Sequence, residues 1–257
     1  MIGIFDSGLG GLTVARAIMR RLPGEPLVYF GDTARTPYGN KSKQVIEGYT
    51  LQNIKFLLSR GVDRIVMACN TASALAFPVA KKHFPLVPIF EVITPAVDEA
   101  SRFTESGRIG IIGTRATVQS GVYEKRLTRR DARLKIFSQA CPLFVPLIEE
   151  GWLRSTQMKS VAREYLEPLL ARNIDTLILG CTHYPLIKGL LQSIVGEGVR
   201  LVDAADAMAQ KLADGTALSE KSGVRHQWYA SDITPYFHAI ASRWLGKKIN
   251  VKRQSVF

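Results

Sequence analysis

The order of apolar segments predicts an α/β protein of two pseudo-symmetric lobes, each a mainly parallel sheet covered by helices, with a cleft between them. Three observations lead there. Short runs rich in Val, Ile, Leu and Phe alternate with longer stretches whose apolar residues recur at three- and four-residue spacing, the pattern of repeated βαβ units. Ile2-Gly3-Ile4 returns as Ile109-Gly110-Ile111, and Asp63 to Asn70 returns as Asp175 to Thr182, so the two offsets are nearly equal at 107 (109 − 2) and 112 (175 − 63). In each copy of the second block a cysteine, Cys69 or Cys181, directly follows a strand-like run.

Taken in order, residues 2–5, 27–30, 64–68, 87–90, 108–113, 134–138, 176–179 and 200–202 read as strands, being short, apolar and rich in β-branched residues. Helices are expected over 11–21, 43–60, 72–83, 118–129, 158–172 and 205–213, followed by a strand over 224–230 and a helix over 234–245. The repeat divides the chain into a first lobe of residues 1–93 plus a returning segment 205–257, and a second lobe of residues 94–204. Open parallel sheets bind ligands at the carboxyl ends of their strands. Two lobes facing each other would bring Cys69 and Cys181 to an active site in the cleft from opposite sides.

The chain has 257 residues, 46% of them apolar, enough for one large core or two smaller ones without disulfide or metal support. Its start carries no basic, apolar and small-residue sequence of a secretory signal, and no apolar run is long enough for a membrane span, so a cytoplasmic location is expected. Three cysteines make an odd count without a Cys-x-x-Cys pair. His83, His183, His226 and His238 lack zinc-ligand spacing to them, so neither a disulfide framework nor a bound metal is expected. The net charge of +12 favours acidic partners without choosing among nucleic acid, anionic lipid and a small dianion. Its densest stretches, Arg126 to Lys135 and Lys247 to Arg253, lack the interleaved aromatics that stack on bases and read as solvated faces.

Asp6-Ser7-Gly8-Leu9-Gly10-Gly11 leaves the first strand and enters a helix. Its glycines do not follow the dinucleotide-binding spacing, and no Gly-Lys-Ser/Thr follows. The block reads either as a tight turn with an N-cap or as cleft lining, with Asp6 free to take an ammonium or orient a proton-transfer group. Gly31 to Gly39, with Pro37, Tyr38 and Gly39 at its end, reads as a rigid loop and a wall of the cleft. Free cysteines are commonly packing residues. Two at matching strand ends, each followed by amide or hydroxyl side chains (Asn70 and Thr71; Thr182) and a helix start, point to chemistry, because helix-start amides favour carboxylates and thiolates. Cys141 has no counterpart in the repeat and reads as packing. A thiolate and a thiol across a cleft could take a proton from one side of a bound molecule and return one on the other. No phosphate cradle or lysine context suggests pyridoxal phosphate.

The blocks Phe5 to Val14, Gly31 to Gly39, Ala68 to Ala72 and Gly180 to Leu186 together resemble the glutamate racemase family, within the cofactor-independent aspartate and glutamate racemases, from the first strand to about Val202. The resemblance implies two α/β lobes with the active site between them, a small-molecule substrate (L- or D-glutamate), no cofactor, a homodimer, and supply of D-glutamate for peptidoglycan. It implies Cys69 and Cys181 as the acid/base pair, with Asp6, His183 and Glu149, or its neighbour Glu150 by register, assisting proton transfer. Substrate contacts would come from Asp6, Ser7, Pro37, Tyr38, Gly39, Asn70, Thr71, Thr114, Thr182 and His183. Members activated by a cell-wall precursor carry residues ahead of the first strand; here the strand starts at Ile2, and no such regulation is expected. A sibling enzyme acting on aspartate or a hydantoin would share the thiols but differ in the Asp6 and Tyr38 blocks. A basic nucleic-acid-binding protein with structural cysteines is the rival of another class, and it predicts steeply salt-dependent binding. A second binding role toward nucleic acid or gyrase is compatible with the resemblance and not required by the chemistry.

Overall fold

The computed structural model describes residues 1–215, 224–234 and 237–256. The chain opens with β1 (Ile2–Asp6), α1 (Leu12–Arg21), β2 (Leu27–Gly31), α2 (Lys43–Ser59), β3 (Arg64–Met67), α3 (Asn70–His83) and β4 (Ile89–Glu91). It continues through α4 (Ile93–Phe103), β5 (Arg108–Gly113), α5 (Arg115–Gln119), α6 (Val122–Arg130), β6 (Lys135–Ala140), α7 (Phe144–Glu149) and α8 (Thr156–Leu170). There follow β7 (Thr176–Gly180), α9 (Lys188–Val195), β8 (Arg200–Asp203), α10 (Ala204–Asp214), β9 (Gln227–Ala230), α11 (Phe237–Leu245) and β10 (Val251–Arg253). Residues 216–223 and 257 of the expected returning segment, and residues 235–236 of the helix expected over 234–245, lie outside the described residues.

Two sheets form, ordered β10-β9-β2-β1-β3-β4 and β6-β5-β7-β8, and every pairing in them is parallel. Helices cover both faces, which is why β1, β2 and β7 are buried at every residue and read as continuous apolar runs, not as alternations. The faint repeat has a structural counterpart: β2-β1-β3-β4 and β6-β5-β7-β8 share one order, with β1 and β5 in the same place. Gly3 and Gly110 play matching parts in them. A Cβ at Gly3 would stand 2.9 Å from Val62, and one at Gly110 would stand 2.6 Å from Ile174, so each glycine gives room to the side chain that leads into the neighbouring strand. The last segment adds β9 beside β2 and β10 beside β9, extending the first sheet.

The helix expected over 118–129 is two helices. Gly121 takes a left-handed conformation (φ 61°) between α5 and α6, which a continuous helix does not allow. Among the described residues no helix is long and apolar enough to cross a membrane.

Candidate active site

Both sheets end at one cavity of 580 Å³. Ser7, Cys69, Thr114, Cys141 and Cys181 line it, and each stands one or two residues beyond the end of a strand, namely β1, β3, β5, β6 and β7. The placement follows from parallel topology, which gathers all the strand ends on one side.

Cys69 caps α3 and is 5% exposed; Cys181 is 6% exposed. Both therefore meet the cavity from otherwise buried positions. Burial, and then the nearby Asp6 carboxylate, push the Cys69 thiol up to about 12, against hydrogen bonds from the Ala72 N–H and the Ser7 side chain that favour the thiolate. A charge on Cys181 pushes in the same upward direction. Two thiolates facing one cavity repel each other, so the arrangement favours one thiolate with one thiol.

Cys181 has a cationic neighbour. Its Sγ lies 3.8 Å from His183 Nδ1, and His183 Nε2 lies 3.0 Å from Glu149 Oε1. Burial disfavours the His183 cation, but the hydrogen bonds with Cys181 and Glu149 outweigh it and hold the imidazole up at about 10. A protonated His183 supplies the positive partner that a thiolate at Cys181 requires. Glu150 also lines the cavity, but the carboxylate that reaches His183 is that of Glu149. Asp6 is fully buried and stands behind the cavity wall, where its carboxylate accepts from the Gly8 N–H at 2.9 Å and from Thr182 Oγ1 at 3.3 Å. Burial raises its pKa, opposed by the His183 charge and by these donors.

Donors for a substrate carboxylate cluster at the start of α3. Asn70 lines the cavity and its Nδ2 is buried with no partner, an orphaned donor of the kind that a bound acceptor satisfies. Thr71 Oγ1 lies 3.0 Å from Thr114 Oγ1, a hydrogen bond in the cavity wall that joins the end of one sheet to the end of the other. Pro37, Tyr38 and Gly39 form a wall, as the loop motif suggested, yet the Tyr38 hydroxyl is committed inside it. That hydroxyl donates to Asp32 and accepts from Asn53 Nδ2 at 3.0 Å, while Arg35 Nε also donates to Asp32 at 2.7 Å. Gly39 sits where a Cβ would come within 3.0 Å of Thr114.

Several residues here escaped sequence reasoning. Cys141, read as packing, belongs to the core and also touches the cavity. Thr117 shares hydrogen bonds with Thr114 and Thr71, and the Thr-x-x-Thr spacing after a strand was an available signal for it. Arg115 and Tyr165 line the cavity with no motif to mark them. Among the described residues no group of three or more His, Cys, Asp or Glu side chains is arranged to hold a metal ion.

A cavity at the carboxyl ends of two parallel sheets, with one thiol brought in from each, has the layout of an enzyme built for two-sided chemistry on a small polar molecule. Comparison with known proteins gives that class a family. The model of the Asp/Glu/Hydantoin racemase family matches residues 12–212, and the chain belongs to that family of amino-acid racemases. A glutamate racemase of Syntrophus aciditrophicus is 45% identical over 253 residues, covering 96% of this chain and 93% of the relative. Among solved structures, a glutamate racemase isoform from Bacillus anthracis has a TM-score of 0.94 at 36% identity, covering 99% of this chain and 97% of the other. Glutamate racemase from Francisella tularensis, in complex with D-glutamate, has a TM-score of 0.92 at 35% identity, with the same coverage.

Proposed function

We propose that this chain interconverts L- and D-glutamate by moving a proton on and off the α-carbon between Cys69 and Cys181, without a cofactor, and so supplies D-glutamate for peptidoglycan. The observation that carries this is the pair of thiols, one from each sheet, facing one cavity into whose lining Asn70 brings an unpaired Nδ2 donor. A thiolate at Cys181, held beside protonated His183, takes the proton from L-glutamate. The Cys69 thiol gives one to the opposite face. The product leaves Cys181 protonated and Cys69 as thiolate, which is the state that starts the reverse reaction. Negative charge growing on the α-carboxylate is met by donors at the start of α3, Asn70 first among them. Ser7, Thr71, Thr114, Thr182 and the Pro37–Tyr38–Gly39 wall fix the rest of the substrate. Asp6 and Glu149 act through their neighbours, Asp6 on Thr182 and Cys69, Glu149 on His183.

The same proposal treats 1–93 with 205–257 and 94–204 as the two lobes and places the enzyme in the cytoplasm as a homodimer. Half-exposed Leu143, which lines the cavity, and half-exposed Trp152 offer apolar area that such a dimer would cover. Binding of nucleic acid or gyrase is not needed for turnover. The test is circular dichroism of L-glutamate and L-aspartate solutions after adding protein dialysed exhaustively against chelator. Decay of the glutamate signal to zero is expected; faster decay with aspartate, or activity only after adding pyridoxal phosphate or a metal, would remove the proposal.

A further inference from the structure

We infer that Tyr123, on α6, is a positioning residue: its hydroxyl fixes the orientation of the Asn70 carboxamide, so that Asn70 presents only N–H donors to the cavity. This rests on the proposal above for its kinetic consequence, though not for its geometry.

Tyr123 is buried, and its hydroxyl donates to Asn70 Oδ1 at 2.6 Å. Among the described residues this is the hydroxyl's only hydrogen-bond partner. A buried O–H needs an acceptor. If the amide turned over, its NH₂ would face the tyrosine, the phenolic proton would lose its acceptor, and Oδ1 would face the cavity and repel a carboxylate. The Tyr123 hydroxyl therefore selects one orientation, and that orientation leaves Nδ2 buried and unpaired on a cavity-lining residue. Asn70 directly follows Cys69, whose sulfur must reach the α-carbon, so the carboxylate within reach of Nδ2 is the α-carboxylate. Charge grows there as the proton leaves, and an amide already oriented toward it favours the transition state over the bound substrate.

The bond also joins the two halves of the molecule. Asn70 starts the helix that follows β3, in the first sheet, while Tyr123 lies on α6, the second of the two helices between β5 and β6, in the second. That helix is anchored one turn further on, where Arg126 Nη1 donates to Glu91 Oε1 and Thr94 Oγ1, each at 2.5 Å. Glu91 in turn accepts from the N–H groups of Ile93 at 2.8 Å and Thr94 at 3.1 Å. With α6 held in this way, the Tyr123 hydroxyl keeps its place only while the sheets stay docked. Separating them releases the Asn70 amide.

Tyr123→Phe removes the hydroxyl and keeps the ring. Measured in both directions of racemisation beside Asn70→Ala and the double variant, Tyr123→Phe should lower kcat about tenfold, the loss of one oriented hydrogen bond, with KM changing less. On the Asn70→Ala background it should cost nothing further, within about twofold. Equal losses in both backgrounds, or an unchanged kcat, would overturn the inference. A second readout does not depend on turnover. The side-chain amide resonances of Asn70, assigned by their disappearance in Asn70→Ala, should move in Tyr123→Phe, and unchanged resonances overturn it whatever the substrate. A wild-type protein that leaves glutamate unconverted would remove the proposed function, while the amide resonances still decide the role of Tyr123.

Discussion

Replacing Gly10 by alanine probes how closely the turn after β1 must approach the loop that carries Cys181. A Cβ at Gly10 would lie 2.2 Å from Thr182 Oγ1 and 2.5 Å from His183 Nδ1. Ordinary carbon contacts begin near about 3.5 Å, so one of the two loops must retreat by more than about 1 Å. Thr13 Oγ1, which donates to the Thr182 carbonyl at 2.9 Å, ties the loops together and opposes that retreat. Overpacking of this kind costs about 1–3 kcal/mol. At about 2–4 °C per kcal/mol for a chain of this size, the melting temperature should fall by about 2–12 °C. The imidazole carries the contacts to Cys181 and Glu149, and if it serves the reaction as proposed, moving it by about 1 Å costs about a hundredfold in rate. Thermal melts and the circular-dichroism racemase assay measure both losses on one preparation. Gly48→Ala serves as the control, because Gly48 lies exposed inside α2 with nothing near its added Cβ, and it should gain about 0.5–1 kcal/mol without changing activity. A Gly10→Ala protein with wild-type melting and wild-type kcat/KM would refute the close approach.

Two further outcomes concern the His183 cluster. Its imidazole is raised from 6.5 to about 10 in the folded protein, so the stability it contributes is full below pH 6.5 and is lost as pH rises toward 10. Melting temperatures of wild type and His183→Gln should therefore converge across that window, and a constant difference would show that no such linkage exists. Glu149→Gln takes away a carboxylate that favours the imidazolium, so the alkaline limb of the pH–rate profile should move to lower pH, whereas Glu150→Gln should leave it in place. Equal shifts in the two variants would count against the Glu149 contact.

The sheet-forming elements were legible because parallel strands buried on both faces leave uninterrupted apolar runs, and Cys69 and Cys181 stood out because the repeat placed them at matching strand ends. Short helices were less so. The helices Phe144–Glu149 and Lys188–Val195 span too few turns to set up a clear period, and Ile93–Phe103 carries a proline in its first turn. The edge strand Val251–Arg253 has one buried residue and two exposed cations, which resemble a solvated tail. What the chain order cannot encode visibly is contact between distant segments. Gly10 against Thr182, Tyr123 against Asn70, and the Tyr38 hydroxyl turned away into Asp32 depend on how the two sheets dock and how loops pack against them. Of the two readings of Asp6-Ser7, the turn holds for Asp6, whose carboxylate accepts from the Gly8 N–H, and the cleft lining for Ser7. The N-cap expected there is not formed, since Gly11 precedes α1 without a side-chain cap, and Asp6 is buried behind the cavity and does not face it.

The central claim is that each thiol serves one face of the α-carbon, and hydrogen exchange in deuterated water tests it most directly. Cys69→Ser and Cys181→Ser are each incubated with L-glutamate and with D-glutamate, and α-deuterium incorporation is followed by NMR beside inversion by circular dichroism. Serine raises the pKa of the proton-transfer group far above that of a thiol, so both variants should lose racemisation by orders of magnitude. Cys69→Ser, which keeps the thiol beside His183, should still exchange the α-hydrogen of L-glutamate, and Cys181→Ser that of D-glutamate, each with little inversion. The reverse preference would overturn the assignment of faces, and full racemisation by either variant would contradict the two-thiol mechanism itself.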